Sequence, residues 1–259
     1  MDRALISCER FRDLAPLRAI AQSHGVGLDL QEFADPSILD GDWRGHVSLY
    51  RKSLAGFPGE LSLHGAFFDL FCGSPDRQVV ALARERFRQN LTIAAELGAH
   101  IVNFHINYLP LIDDPHYLHG WTQRQIAFWT PLAQEARALG VTIVLENMWE
   151  PDPAIQRSVL DGVHSPHLQA CLDVGHARIY SKSPLDTWIE TLKPYLIFTH
   201  LHNTNGNEDV HLSFDNGTLD MPAVLDELRR LPHPPIFCLE LPNATTIEAS
   251  LKFLHLDPC

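Results

Sequence analysis

The feature that most constrains this chain is a rhythm: eight short apolar runs, each followed by a longer stretch with helical spacing. Strands are predicted over residues 4–9, 26–33, 60–66, 100–107, 141–147, 168–174, 196–203 and 235–241. Helical patterns lie between them, as over 77–97 (Val79, Val80, Leu82, Ala83, Phe87, Leu91, Ala94, Ala95) and 122–139. Ser74-Pro75 and Ser183-Pro184 read as helix starts with proline in the first turn, and Gly98 and Gly140 as helix ends just before strands. Spread over 259 residues, eight such units take roughly 32 residues each, the arithmetic of a (β/α)8 barrel. A doubly wound sheet would normally carry a glycine-rich loop after its first strand, and Cys8-Glu9-Arg10-Phe11 is not one. The expectation is an α/β fold, a (β/α)8 TIM barrel, as a single domain over 1–259.

Composition narrows the partners. The chain has 32 Asp and Glu against 20 Lys and Arg, a formal charge of −12, which repels nucleic acid on average. No apolar run approaches the roughly 20 residues of a membrane helix, so no membrane partner is expected. The opening Met1-Asp2-Arg3-Ala4-Leu5-Ile6-Ser7 has no basic segment leading into an apolar core. Cys8, Cys72, Cys171, Cys238 and Cys259 show no Cys-x-x-Cys spacing and read as reduced thiols. These features predict a cytoplasmic protein.

In such a barrel, reactive side chains stand at the C-terminal ends of the strands. Here the third run ends at His64, the fourth in Val102-Asn103-Phe104-His105 and the fifth in Leu145-Glu146-Asn147. The sixth ends Cys171-Leu172-Asp173-Val174-Gly175-His176, and the seventh reads Thr199-His200-Leu201-His202-Asn203 with Asp209-Val210-His211 in its loop. The eighth ends Leu239-Glu240-Leu241. Each such side chain is costly to bury unless something compensates it. Taken singly, Glu146 or Glu240 reads as a salt-bridge partner and His64 as a hydrogen-bonded core residue. As a set they would need six separate partners, and Arg178 and Lys182 are the only basic residues close behind any of these ends. A shared divalent cation accounts for all of them, since His, Asp and Glu are its ligands. The count of 15 histidines in an acidic chain agrees. His116, His119, His164, His167, His233 and His255 sit among loop residues and are expected at the surface. Trp121, Trp129 and Trp188 fit helix faces as packing residues, whereas Trp149 could equally wall a pocket.

These segments, in this order at strand ends, resemble the xylose isomerase-like TIM-barrel superfamily. It holds sugar and sugar-phosphate isomerases and epimerases together with the endonuclease IV group of AP endonucleases. The resemblance runs from about residue 26 to 241. Through the isomerase and epimerase branch it implies one divalent ion held by Glu146, Asp173, His202 and Glu240, and a small carbohydrate substrate. Glu146 and Glu240 would then act as base and acid around a metal-stabilised enediolate. His200 shares the strand parity of His202 and is the alternative ligand; isomerisation and epimerisation both stay open. The endonuclease branch implies instead three zinc ions on His64, His105, Glu146, Asp173, His176, His202, Asp209, His211 and Glu240, cutting abasic DNA. Its DNA-cutting members carry a basic, aromatic segment after the second strand. Residues 32–42 here are acidic, and the loop 106–119 holds Asp113 and Asp114 but no Lys or Arg. Nucleic acid is therefore not the expected partner. A third reading is a non-catalytic barrel that keeps a metal. The expected cofactor is a divalent metal (Zn, Mn, Co or Mg), one ion foremost and up to three, and the resemblance admits a homodimer.

Overall fold

The computed structural model describes residues 1–112 and 114–256, so Asp113 and Cys259 lie outside the described residues. Eight strands, β1 (Ala4–Cys8), β2 (Gly27–Leu30), β3 (Leu61–His64), β4 (Ile101–His105), β5 (Thr142–Glu146), β6 (Leu168–Asp173), β7 (Leu196–Leu201) and β8 (Ile236–Leu239), pair in parallel. They close into a barrel because β1 pairs with β2 on one side and β8 on the other, with Leu5 opposite both Gly27 and Cys238. The predicted fold class holds. The strands are shorter than their apolar runs, since Phe33, Ala66, Ile106 and Leu241 continue the burial beyond the last ladder pair.

Outside the strands lie α1 (Leu14–His24), α2 (Pro36–Asp40), α3 (Trp43–Ser53), α4 (Arg77–Leu97) and α5 (Pro115–Leu139). They are followed by α6 (Pro153–Val163), α7 (Val174–Tyr180), α8 (Leu185–Leu192), α9 (Met221–Arg229) and α10 (Ala244–Leu251). The helix over 77–97 matches its prediction, and Gly98 and Gly140 end α4 and α5 at φ of 75° and 70°, the left-handed value a side chain resists. The helix expected from 122 begins earlier, at Pro115, because the Asp114 carboxylate accepts the Tyr117 N–H and caps it. Pro75 and Pro184 correct another expectation. Pro75 precedes Asp76, the residue that caps α4, and Pro184 is itself the residue before α8, so neither is in a first turn.

Side chains alternate between the barrel interior and the helix layer. Leu5, Val144, Cys171, Phe198, Ile236 and Cys238 form a buried cluster of their own, distinct from the larger core under the helices. Toward the C-terminal ends the buried side chains turn polar: Ser7, Asp29, Ser62, His64, Asn103, His105, Glu146, Asp173, His200 and His202 are at most 6% exposed. Trp121, Trp129 and Trp188 are buried in helix packing as expected. His116, His119, His164, His233 and His255 are exposed, and His167 is half-buried, its Nδ1 2.9 Å from the Val141 carbonyl. No helix among the described residues is long and apolar enough to cross a membrane.

Candidate metal centre

The polar strand ends meet in one mouth. A cavity of about 290 Å³ opens there, with His64, His105, Glu146, His176, Asp209, His211 and Glu240 on its inner face. Asp173, His200 and His202 lie beneath it, each 0% exposed. Register does much of this placing, since His105 is opposite Glu146 and Asp173 opposite His200 across neighbouring strands. Caps and turns do the rest. Asp173 ends β6 and its Oδ1 accepts the His176 N–H at 2.6 Å, so one carboxylate both starts α7 and turns His176 into the mouth. Asn147, the residue after β5, clamps Asp173, accepting its N–H at 2.9 Å and donating to its carbonyl at 3.0 Å. His211 sits at φ 43°, a left-handed conformation rare for a residue with a side chain, and its ring stacks on His202 at 3.9 Å.

Four histidines share one arrangement. Nδ1 of His64, His176, His202 and His211 lies 2.9, 3.0, 3.2 and 2.9 Å from a backbone carbonyl. The opposite nitrogen of each faces a carboxylate: His64 Nε2 is 3.6 Å from Glu146, His176 and His211 are 3.1 and 3.0 Å from Asp209, and His202 is 3.1 Å from Asp173. A neutral imidazole that donates from Nδ1 presents a lone pair at Nε2. A lone pair facing an anion is stabilised only by a proton or a cation between them. Asp209 Oδ1 is buried and accepts no well-aligned hydrogen bond, which is the same deficit seen from the other side. Carbonyl-anchored imidazoles facing carboxylates are how proteins orient metal ligands, so these residues fit a divalent cation. Two groupings stand out: His64, His105 and Glu146, and His176, His202, Asp209 and His211.

The electrostatics show what takes the cation's place when only protons are available. Burial lowers the pKa of His176 and His211, but the surrounding carboxylates reverse it. His176 is raised well above its ordinary value by Asp173, Asp209 and Glu146, and His211 is raised to about 9 chiefly by Asp209. Burial would raise Glu146 and Glu240, yet both are lowered, with His200 the leading cause in each case. His105 goes the other way, lowered because burial outweighs its contact with Glu146.

The tetrad Glu146, Asp173, His202 and Glu240 is brought to one mouth in two halves. His202 pairs with Asp173, while Glu146 and Glu240 each lie 3.2 Å from His200 Nδ1. Several lining residues carried no signal in the sequence. Arg10 follows β1 and pairs with Asp35 at 2.7 Å on the rim, and Gln31 follows β2 and donates to Glu240 at 2.8 Å. Phe67 and Phe68 come from the loop after β3. Met148 lines the cavity and Trp149 does not; neither do Arg178 or Lys182. Glu150, also unnoticed, is 1% exposed and accepts the N–H groups of Tyr108 and Met148 at 2.6 Å each, and burial pushes it up to about 7.

A Cβ added at Gly175 would overlap the His202 ring. Gly175→Ala is therefore expected to cost about 1–3 kcal/mol through overpacking and to lower the amount of any divalent metal bound per chain. Urea unfolding and elemental analysis would check both; an alanine variant with native stability and native metal content would contradict this packing.

Residues 20–256 match the family described as xylose isomerase-like TIM barrel. An uncharacterised protein of Methanocaldococcus jannaschii, MJ1311, is 26% identical over 206 residues, covering 75% of this chain and 69% of its own. The TTHB071 protein of Thermus thermophilus, whose structure followed soaking with ZnCl2, is 31% identical with a TM-score of 0.79, covering 98% of this chain and 96% of its own. A D-tagatose 3-epimerase-like protein shares the fold at 21% identity and a TM-score of 0.73, covering 86% and 85%.

Proposed function

The chain belongs to the xylose isomerase-like TIM-barrel family, and from that premise we propose that it is a divalent-metal-dependent isomerase or epimerase of a small carbohydrate. One observation carries the reading. Glu146 and Glu240 come from non-adjacent parts of the barrel and converge on one imidazole nitrogen at the inner face of a small cavity. Two carboxylates so placed can take a proton from a carbon beside a carbonyl and return one to it or to its neighbour.

Glu146, Asp173, His202 and Glu240 would hold the ion, with His64 and His105 flanking Glu146. When bound, a divalent ion supplies a Lewis acid toward adjacent substrate oxygens. The protein's own groups do the rest. Phe67 stacks on the His105 ring at 4.7 Å and, with Phe68, makes an apolar wall for the C–H face of a sugar. Glu9 and Asp35 on the rim, with Arg10 already paired, disfavour a polyanionic substrate.

A second reading, metal-assisted phosphodiester hydrolysis, is favoured by the separate grouping of His176, His202, Asp209 and His211, which could hold a further ion. Incubation with a panel of aldoses and ketoses in deuterated water, with Mn²⁺ or Zn²⁺ present, separates the two. Deuterium incorporated beside the carbonyl of at least one sugar is the expected result. No incorporation from any sugar, together with nicking of abasic duplex DNA, would reverse the order.

A further inference from the structure

His200 departs from the arrangement of its four neighbours. No backbone carbonyl holds its Nδ1; that nitrogen lies instead 3.2 Å from Glu146 Oε1 and 3.2 Å from Glu240 Oε2. The ring is 0% exposed, and neither nitrogen makes a well-aligned hydrogen bond. Asp29 and Cys238 each bring a ligand-type atom within 4.8 Å of a ring nitrogen of His200, Cys238 as its register partner on β8. Around this ring the two carboxylates are supported alike. Glu146 takes an amide N–H from Asn103 on its other oxygen, Oε2, and Glu240 takes one from Gln31 on Oε1. Gln31 also reaches Asp29 Oδ2 at 3.2 Å, and Ser62 donates to Asp29 Oδ1 at 2.5 Å. A polar chain thus runs from Ser62 through Asp29, Gln31, Glu240 and His200 to Glu146.

We propose that His200 is a positioning residue that donates from Nδ1 to both Glu146 and Glu240 and fixes the gap between them, rather than lending a nitrogen to a metal ion. The proposal rests on the reading of those two carboxylates as ligands and proton carriers. A nitrogen directed at two anions is placed as a donor, whereas Nδ1 of His64, His176, His202 and His211 meets a backbone carbonyl and leaves Nε2 for an ion. Carboxylates that bind an ion with one oxygen are oriented by hydrogen bonds to the other. With the ring removed, no group would bridge the two carboxylates: Glu146 would keep Asn103 and the imidazoles of His64, His105 and His176, Glu240 would keep Gln31, and the two buried anions would repel one another apart.

The test uses two variants of the full chain and Zn²⁺ alone as the probe, its affinity read by competition with a chromogenic chelator. His200→Leu is expected to weaken zinc binding roughly 10- to 100-fold. His200→Gln keeps an N–H donor and is expected to stay close to the native affinity. Circular dichroism reports folding, and His200→Phe, which keeps a ring, replaces the leucine variant if that one fails to fold. Native zinc affinity without the imidazole would overturn the proposal. So would a glutamine variant as weak as the apolar one, which would make His200 a ligand. Zinc affinity involves no sugar, so a native protein that exchanges no sugar proton would defeat the functional reading and leave this result standing.

Discussion

Glu240→Gln is expected to lower the rate of sugar proton exchange by about 100- to 10,000-fold, the usual worth of a positioned general acid or base. The change keeps volume and leaves Oε1 able to accept from Gln31, whose amide now lies 2.8 Å away, so with EDTA present the barrel should unfold at nearly the same denaturant concentration as the native chain in EDTA. What is lost is the anion at Oε2, the oxygen that faces His200. Glu190→Gln, which alters an exposed surface pair with Lys193, is the control and should turn over normally. A Glu240→Gln protein with undiminished exchange would remove Glu240 from the chemistry, whatever its place in the mouth.

Removal of divalent ions with EDTA is expected to lower Tm at pH 8 by on the order of 10 °C, the effect of losing an ion held at about 1,000 times its Kd in a chain of this size. The size of the drop should depend on pH in a definite direction. Burial depresses His176 and His211, but carboxylates raise them above the ordinary histidine value, His211 to about 9. A raised folded pKa stabilises the ion-free protein fully below the unfolded value of about 6.5, and that support disappears as pH climbs toward 9. The ion-loaded protein needs the same nitrogens deprotonated. The difference between loaded and stripped protein should therefore widen from about pH 6.5 to 9 and shrink toward acid. Thermal scans across that range, with and without chelator, measure it. Superimposed curves at every pH, or a difference that grows toward acid, would refute a structural cation here.

The barrel was legible because its rhythm is redundant: eight runs had to fail together for the fold class to fail, and single errors such as the position of Pro75 changed nothing. Strand ends were legible for a related reason. A carboxylate or imidazole at the close of an apolar run has few inexpensive explanations, and His64, His105, Glu146, Asp173, His200, His202 and Glu240 do gather in one mouth. Gln31, Phe67, Phe68 and Arg10 were invisible because loop residues of ordinary type acquire a role only from where the loop folds. Glu150 lies four residues beyond Glu146 and drew no reading from the sequence; the N–H groups of Tyr108 and Met148 that its carboxylate accepts account for its burial. The separate situations of His200 and His202 also exceeded the sequence. Both face inward by parity, and what distinguishes them is whether a carbonyl or a pair of carboxylates meets Nδ1.

Asp173 does two jobs with one side chain, starting α7 and facing His202, whereas Phe67 and Phe68 hang from a loop that starts nothing. Retasking this barrel for a different substrate would thus have an open route and a closed one. The aromatic wall can be rewritten at little structural cost, while a change at Asp173 would unravel the turn that aims His176. Descendants of such a chain should drift in what they grip long before they drift in how they are wired.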